Sequence, residues 1–383
     1  MRKRKICFLI TSHIHYARNK LLMEHIKKDK SLDLQIIVAG SALLQRFGNV
    51  EKLLKKDGFT KFERLYTTLE GGNNEVMAKT MGISILEFTN AFERLNPDIV
   101  VLRGDRYEIL AGAISAAYTN KMIAHIEGGD VSGSIDESVR HAITKLSHLH
   151  FPTNEDAYNR LIQMGENPKY VHNVGSIDVE FIDKVHVMHN FEFIKKAGVG
   201  YRLNGNKPFL MVIQHSVTTG ENNLKNIEET IKAVHDLDIQ ALWFWPNVDA
   251  GTDDISKALR VYRENNKKSK IKFIRYLSPE QFASFLKRTS CLVGNSSAGI
   301  KETSYLGIPV VNIGTRQQDR VSVGSNMINV DYDHLAIKKA IRKQLKHGQY
   351  QGNNYYYQKD TSKKMHQLLK NTPLITQKHF YQK

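Results

Sequence analysis

Short continuous apolar runs alternate along the chain with longer stretches whose apolar residues recur at helical spacing. The runs fall at residues 6–10, 34–39, 99–102, 122–126, 149–151 and 170–174, then at 209–213, 240–245, 271–274, 291–293, 310–313 and 327–330. A strand that is apolar at nearly every position is covered on both faces, as in a parallel sheet. Segments 19–28, 107–118, 137–146, 224–237 and 279–287 carry the spacing of amphipathic helices. Two such βαβ series in tandem predict an α/β chain of two doubly wound domains. The boundary is expected between Gly175 and Lys207, across a helix-like stretch 182–196 and a turn-forming stretch 198–207. That division places 1–180 in the first domain and 181–355 in the second. The remaining 356–383 supply a helix at 362–369 that packs back on the first domain, and a frayed tail from Thr372 onward.

The length of 383 residues suits two domains, each large enough to bury its own core. No apolar run approaches the roughly 20 residues that span a bilayer. The basic start Met1–Lys5 and apolar Ile6–Ile10 imitate a secretion signal, but polar Thr11-Ser12-His13 cuts the run short and favours a buried first strand. Cys7 and Cys291, the two cysteines, both lie in apolar runs, leaving no disulfide framework or thiolate zinc site; a cytoplasmic location is expected. The net charge of +16 attracts polyanions. Its lysine pairs, such as Lys55-Lys56 and Lys338-Lys339, are scattered over the polar faces of predicted helices, so neither nucleic acid nor membrane is the expected partner. The 16 histidines show no metal-ligand spacing, and no metal or cofactor is expected.

Ligands of open parallel sheets bind beyond the carboxyl ends of the strands. Polar and ionisable residues concentrate there: Thr11-Ser12-His13, Gly104-Asp105-Arg106, Glu127-Gly128-Gly129, Gln214-His215, Pro246-Asn247, Gly294-Asn295-Ser296-Ser297 and Gly314-Thr315-Arg316. Drawn from both halves, they imply a cleft with two opposed walls. Gly294–Gly299 either cradles a phosphate at a helix start or merely caps that helix through Ser296 or Ser297. Arg316 offers a forked donor to a diphosphate. Asp105 can be held ionised by neighbouring Arg106, and Asp136 is either an acid/base group or an N-cap. At i,i+4 spacing Asp136 is expected to pair with Arg140, and Glu137 with His141.

In this order, the motifs resemble those of the UDP-N-acetylglucosamine 2-epimerase family, in its hydrolysing, sialic-acid-pathway branch. The matching stretches are Gly104-Asp105-Arg106, His125–Gly129, Ser132–His141, His215–Thr219, Pro246–Gly251, Gly294–Gly299 and Asn312–Gln317. The resemblance implies a GT-B architecture, two Rossmann-like domains facing a cleft, and a homodimer or homotetramer. It places Asp105, Glu127 and Asp136 on the family's catalytic carboxylates, with His215 beside them. It places His13, Arg18, Arg106, Glu137, His141, Asn247, Asp249, Ser296, Ser297, Glu302 and Arg316 on the nucleotide-sugar site. The implied reaction eliminates UDP across C1–C2 and adds water back with C2 inverted, releasing UDP and N-acetylmannosamine. This chain reads His13-Ile14-His15-Tyr16 where the family carries an Arg-Ala-Asp-Tyr-like loop, Arg18 for a lysine, Asp130 for a glutamate, Ser216 for a proline and Lys301 for an arginine. The altered loop lies on the sugar side, which admits a substrate such as a 2,4-diacetamido-trideoxyhexose nucleotide of the legionaminic acid route. Three rivals are a non-hydrolysing epimerase giving the UDP-linked manno sugar, a GT-B glycosyltransferase, and a non-enzymatic polyanion binder.

Overall fold

β1 (Arg4–Ile10) shows why the apolar runs are continuous. Ile6, Phe8 and Ile10 enter one buried cluster while Cys7 and Leu9 enter another on the opposite face. The computed structural model describes residues 2–188, 192–218, 222–321 and 323–382. With β2 (Leu32–Ala39), β3 (Glu63–Leu65), β4 (Ile99–Arg103), β5 (Met122–Ile126) and β6 (Leu149–Phe151), β1 forms a parallel sheet in the order β3-β2-β1-β4-β5-β6. The second sheet contains β7 (Val199–Gly200), β8 (Leu210–Ile213), β9 (Ala241–Phe244), β10 (Ile271–Ile274), β11 (Cys291–Gly294), β12 (Val310–Ile313) and β13 (Met327–Val330). Its order is β13-β12-β11-β8-β9-β10-β7, parallel except for the short antiparallel edge strand β7. It too is covered on both faces. The two sheets make a GT-B arrangement.

Strand order reverses at β1/β4 in the first sheet and at β8/β11 in the second. The crevice of a doubly wound sheet opens at such a reversal. Both crevices face the same cleft.

Three local expectations fail. Residues 170–174 form no strand: Pro168–Tyr170 is a 3-10 turn, and only Val171 bridges to His150 at the sheet edge. The stretch 182–196 is not one helix, since Ile177–Lys184 ends at Val185 and a separate short helix spans Glu192–Lys196; residues 189–191 between them lie outside the described residues. The tail beyond Thr372 is docked rather than frayed. Lys378 bonds Glu166 at 2.5 Å and the Thr144 carbonyl at 3.1 Å, and the Tyr381 amide donates to the Gly165 carbonyl at 2.9 Å. Before it, the helix Thr361–Asn371 buries Met365 and Leu369 in the first-sheet core, and Arg4 donates to the Leu369 and Thr372 carbonyls.

Candidate active site

Both strand-order reversals deliver their loops to one cavity of about 310 Å³. At β1, Ser12 caps the helix His13–Lys28 by accepting from the His15 amide at 3.2 Å, which sets His13, His15 and Arg18 on the cavity wall. At β4, Gly104 turns the chain and presents Asp105 and Arg106. At β11, Gly294 holds φ +124°, and a Cβ there would lie 2.1 Å from the Ile213 carbonyl, so only glycine lets the two strand ends close together. Asn295 ties the ends across, accepting from the His215 amide at 2.8 Å and donating to the His215 carbonyl at 2.9 Å. Glu127, just after β5, sits at φ +71°, a left-handed conformation that costs a non-glycine residue about 1–3 kcal/mol and clusters at functional positions.

Of the residues singled out from the sequence, His13, Arg18, Asp105, Arg106, Glu127, His215, Asn247, Ser296, Ser297, Glu302 and Arg316 line the cavity. Asp136, Glu137, His141 and Asp249 do not. Asp136 stands behind Arg316, whose guanidinium is 3.7 Å away, and Asp249 stands behind Arg106 and Asn247. Glu137 turns to the Ser132 amide at 2.5 Å and lies 3.9 Å from His141. Thr219 of the matched His215–Thr219 stretch lies outside the described residues.

Two expected ion pairs are exchanged for others. Arg106 does not hold Asp105; it bonds Glu108 and, across the cleft, Asp249, both at 3.0 Å. The Arg106 backbone is extended, so neighbouring side chains point opposite ways. Asp105 turns instead to the buried Arg140, which also donates to the Asp130 carbonyl at 2.8 Å. Asp136 is therefore not paired with Arg140. Nor is it the cap of its helix, because Ser134 takes that position and accepts from the Asp136 amide. Ser296 does cap, its hydroxyl accepting from the Ala298 amide at 3.3 Å while the residue still lines the cavity.

The electrostatics separate the carboxyls. Burial pushes Asp105 up, but Arg140, Arg320 and Arg316 outweigh it and hold Asp105 below the usual carboxylate range. Asp136 is raised by burial and then by the Asp105 charge, against the pull of Arg316. The imidazoles are driven neutral by burial: His13 down to about 4, and His15 to about 3 with help from Arg106 and Arg103. His215 also falls to about 3 through burial and then Arg316.

Glu127 meets groups the sequence did not mark as site residues, Lys301 having stood out there only as a replacement for an arginine. Arg103 lies 3.2 Å from it, Lys301 bonds it directly, and both also bond Asp178 of the linking helix Ile177–Lys184, at 2.5 Å and 2.9 Å. A signal for Arg103 existed in its position as the last residue of β4; Asp178 shows none, being distant in sequence from all its partners. The lobes are joined further by Arg18–Glu302 at 3.2 Å, Lys20–Glu280 at 2.7 Å and the His13 ring edge-on to Tyr276 at 4.5 Å.

A family model described as UDP-N-acetylglucosamine 2-epimerase matches residues 24–370. The chain belongs to the UDP-N-acetylglucosamine 2-epimerase family. A Legionella pneumophila relative named UDP-N,N'-diacetylbacillosamine 2-epimerase (hydrolyzing) is 32% identical over 375 residues, 98% of this chain and 97% of that protein. A Neisseria meningitidis serogroup B relative named UDP-N-acetylglucosamine 2-epimerase is 32% identical over 362 residues, 94% of this chain and 92% of its own. The fold of this epimerase-family enzyme also matches an S. aureus structure of MnaA with UDP, at TM-score 0.77 and 17% identity over 99% of this chain and 100% of that one. No helix among the described residues is long and apolar enough to cross a membrane.

Proposed function

We propose that this enzyme is a hydrolysing 2-epimerase acting on UDP-N-acetylglucosamine or a close UDP-2-acetamido sugar, releasing UDP and the free manno sugar. One observation carries the reading: Asp105 and Glu127, from the first lobe, line the same cavity as Ser296, Ser297 and Arg316 from the second. Carboxylates on one wall and a diphosphate-sized donor set on the other suit a reaction that takes a proton from C2 while a UDP group departs from C1.

In this mechanism Arg316 and the Ser296–Ser297 turn stabilise the charge that grows on the leaving diphosphate. Arg140, Arg320 and Arg316 hold Asp105 below the usual carboxylate range and make it a weak base, so Glu127, which lines the same cavity, takes the C2 proton as the C1–O bond breaks. Asp136, with raised proton affinity, stands behind Arg316 outside the cavity lining, so as water adds at C1 it supplies the proton that returns to the opposite face of C2 through an intervening water. Carboxyls whose environments push their proton affinities apart divide base and acid roles in this way. The closed lobes align these groups and exclude bulk water.

The neutral His13 and His15 favour a sugar that asks for no charged partner on that wall, in keeping with a 2,4-diacetamido-trideoxyhexose. The Legionella relative's name points the same way. Incubation with the UDP derivatives of each sugar, followed by chromatographic separation, tests the proposal. Free sugar and free UDP in equal amounts are expected. A product still linked to UDP would transfer the reading to a non-hydrolysing epimerase, and transfer to an added alcohol without epimerisation to a glycosyltransferase.

A further inference from the structure

Arg18, Arg103 and Lys301 face Glu127, Asp178 and Glu302 in a buried cluster of three cations and three anions. Arg103, Lys301 and Asp178 have side chains only 2% exposed. Asp178 contacts all three cations, whereas Glu127 contacts Arg103 and Lys301 alone. Lys301 is also the cation that arrives from the second lobe, on the short helix Lys301–Leu306; Arg18 and Arg103 come from the first. Its amine therefore divides one positive charge between the cavity-facing Glu127 and the linker carboxylate Asp178.

We propose that Lys301 is a positioning residue that reaches across the cleft to fix the aim and charge of Glu127, with Asp178 competing for the same amine. The inference rests on the epimerase reading only for what Glu127 does with its charge. The placement of the amine between the two carboxylates stands apart from it. Loss of Lys301 would change the proton affinity of one cavity carboxyl and, with Glu127 as the working base, the pH limb of turnover, which a bridge that only held the lobes together would not move. The geometry demands that change, because an anion in a buried site that loses one of its two cations binds a proton more readily.

The charged groups that the described residues place around Lys301 and Glu127 enter the balance. Arg103 and Arg18 reinforce Lys301 from the first lobe, and Arg320 adds positive field from the second. Asp178 and Glu302 oppose them. His125, on the strand before Glu127, is held neutral by burial at about 3 and contributes no charge near neutrality. Burial, followed by the nearby Arg18, draws the Lys301 amine well below its ordinary proton affinity, and the contacts with Glu127 and Asp178 favour its charged form.

The test follows Glu127 itself by infrared titration of the UDP-bound protein, its carboxylic-acid C=O stretch being identified by loss in Glu127→Gln. Lys301→Met should raise the Glu127 midpoint by about one pH unit or more, a tenfold change in proton affinity. Lys301→Arg should restore it. Asp178→Asn should move it the other way, since the amine then serves Glu127 alone and an opposing anion is gone. The pH limb of UDP release that depends on Glu127 should move with each titration. An unchanged Glu127 midpoint in Lys301→Met overturns the proposal. Should that variant fail to fold, an unchanged or raised midpoint in Asp178→Asn does so. A wild-type protein that releases no UDP, with the midpoints moving as described, would reject the epimerase reading and leave the Lys301 inference standing.

Discussion

Gly133→Ala is expected to cripple turnover without unfolding either lobe. Gly133 precedes the cap of the helix that carries Asp136 and Arg140, and its amide donates across the cleft to the Arg316 carbonyl at 3.3 Å. A Cβ at this position would lie 2.1 Å from the Thr315 carbonyl oxygen of the other lobe, where ordinary contact begins at 3.4 Å. The facing backbones must therefore part by the difference, 1.3 Å. The Arg316–Asp136 separation would grow from 3.7 Å to 5.0 Å if the whole displacement fell on it. Coulomb attraction between them would then weaken by about a quarter. More consequentially, misplacing reacting groups by about 1 Å can cost about a hundredfold in rate. A continuous assay of UDP release should show kcat/KM down by about that factor, with the far-ultraviolet circular dichroism and melting midpoint unchanged. A folded variant with wild-type kcat/KM would refute the claim that this closed arrangement is the working one.

Arg140→Met should destabilise the first lobe by about 3 kcal/mol, because it strands the partly buried Asp105 carboxylate without its guanidinium; urea unfolding followed by circular dichroism reads the loss. Glu166 is raised by burial, but His150, Lys145 and Lys378 overcome this and depress it from the ordinary 4.5 to about 2. A depressed carboxylate stabilises the fold above its unfolded pKa, and that advantage is lost as pH falls through the folded value. The stability gap between wild type and Glu166→Gln should thus be full above pH 4.5 and shrink toward pH 2, and a pH-independent gap would contradict the tail's anchoring through Lys378. Gly82→Ala, inside the helix Asn74–Leu95 where a Cβ meets nothing within 4 Å, should stabilise by about 0.8–1 kcal/mol through helix propensity and raise the melting midpoint.

The parallel strands were legible because burial on both faces writes itself as unbroken apolar runs, as in Ile6–Ile10. β3 and β7 were not, being three and two residues long and largely polar or exposed, with pairing set by their neighbours rather than by their own pattern. Within the site, residues at strand ends were readable from topology alone, so His13, Asp105, Glu127, His215 and Arg316 could be placed in one cleft. Their partners could not. Local spacing suggested Asp136–Arg140 and Asp105–Arg106, yet each carboxylate found a cation that tertiary packing delivered. The linker carboxylate Asp178 and the tail amine of Lys378 act over 75 and 212 residues, distances at which sequence spacing carries no signal.

Proton magnetic resonance of the reaction run in deuterated water tests the central chemistry most directly. Elimination across C1–C2 followed by hydration should yield UDP and a free 2-acetamido manno sugar whose C2 carries deuterium. A free sugar that keeps its original C2 proton would contradict removal of that proton by a cavity carboxylate.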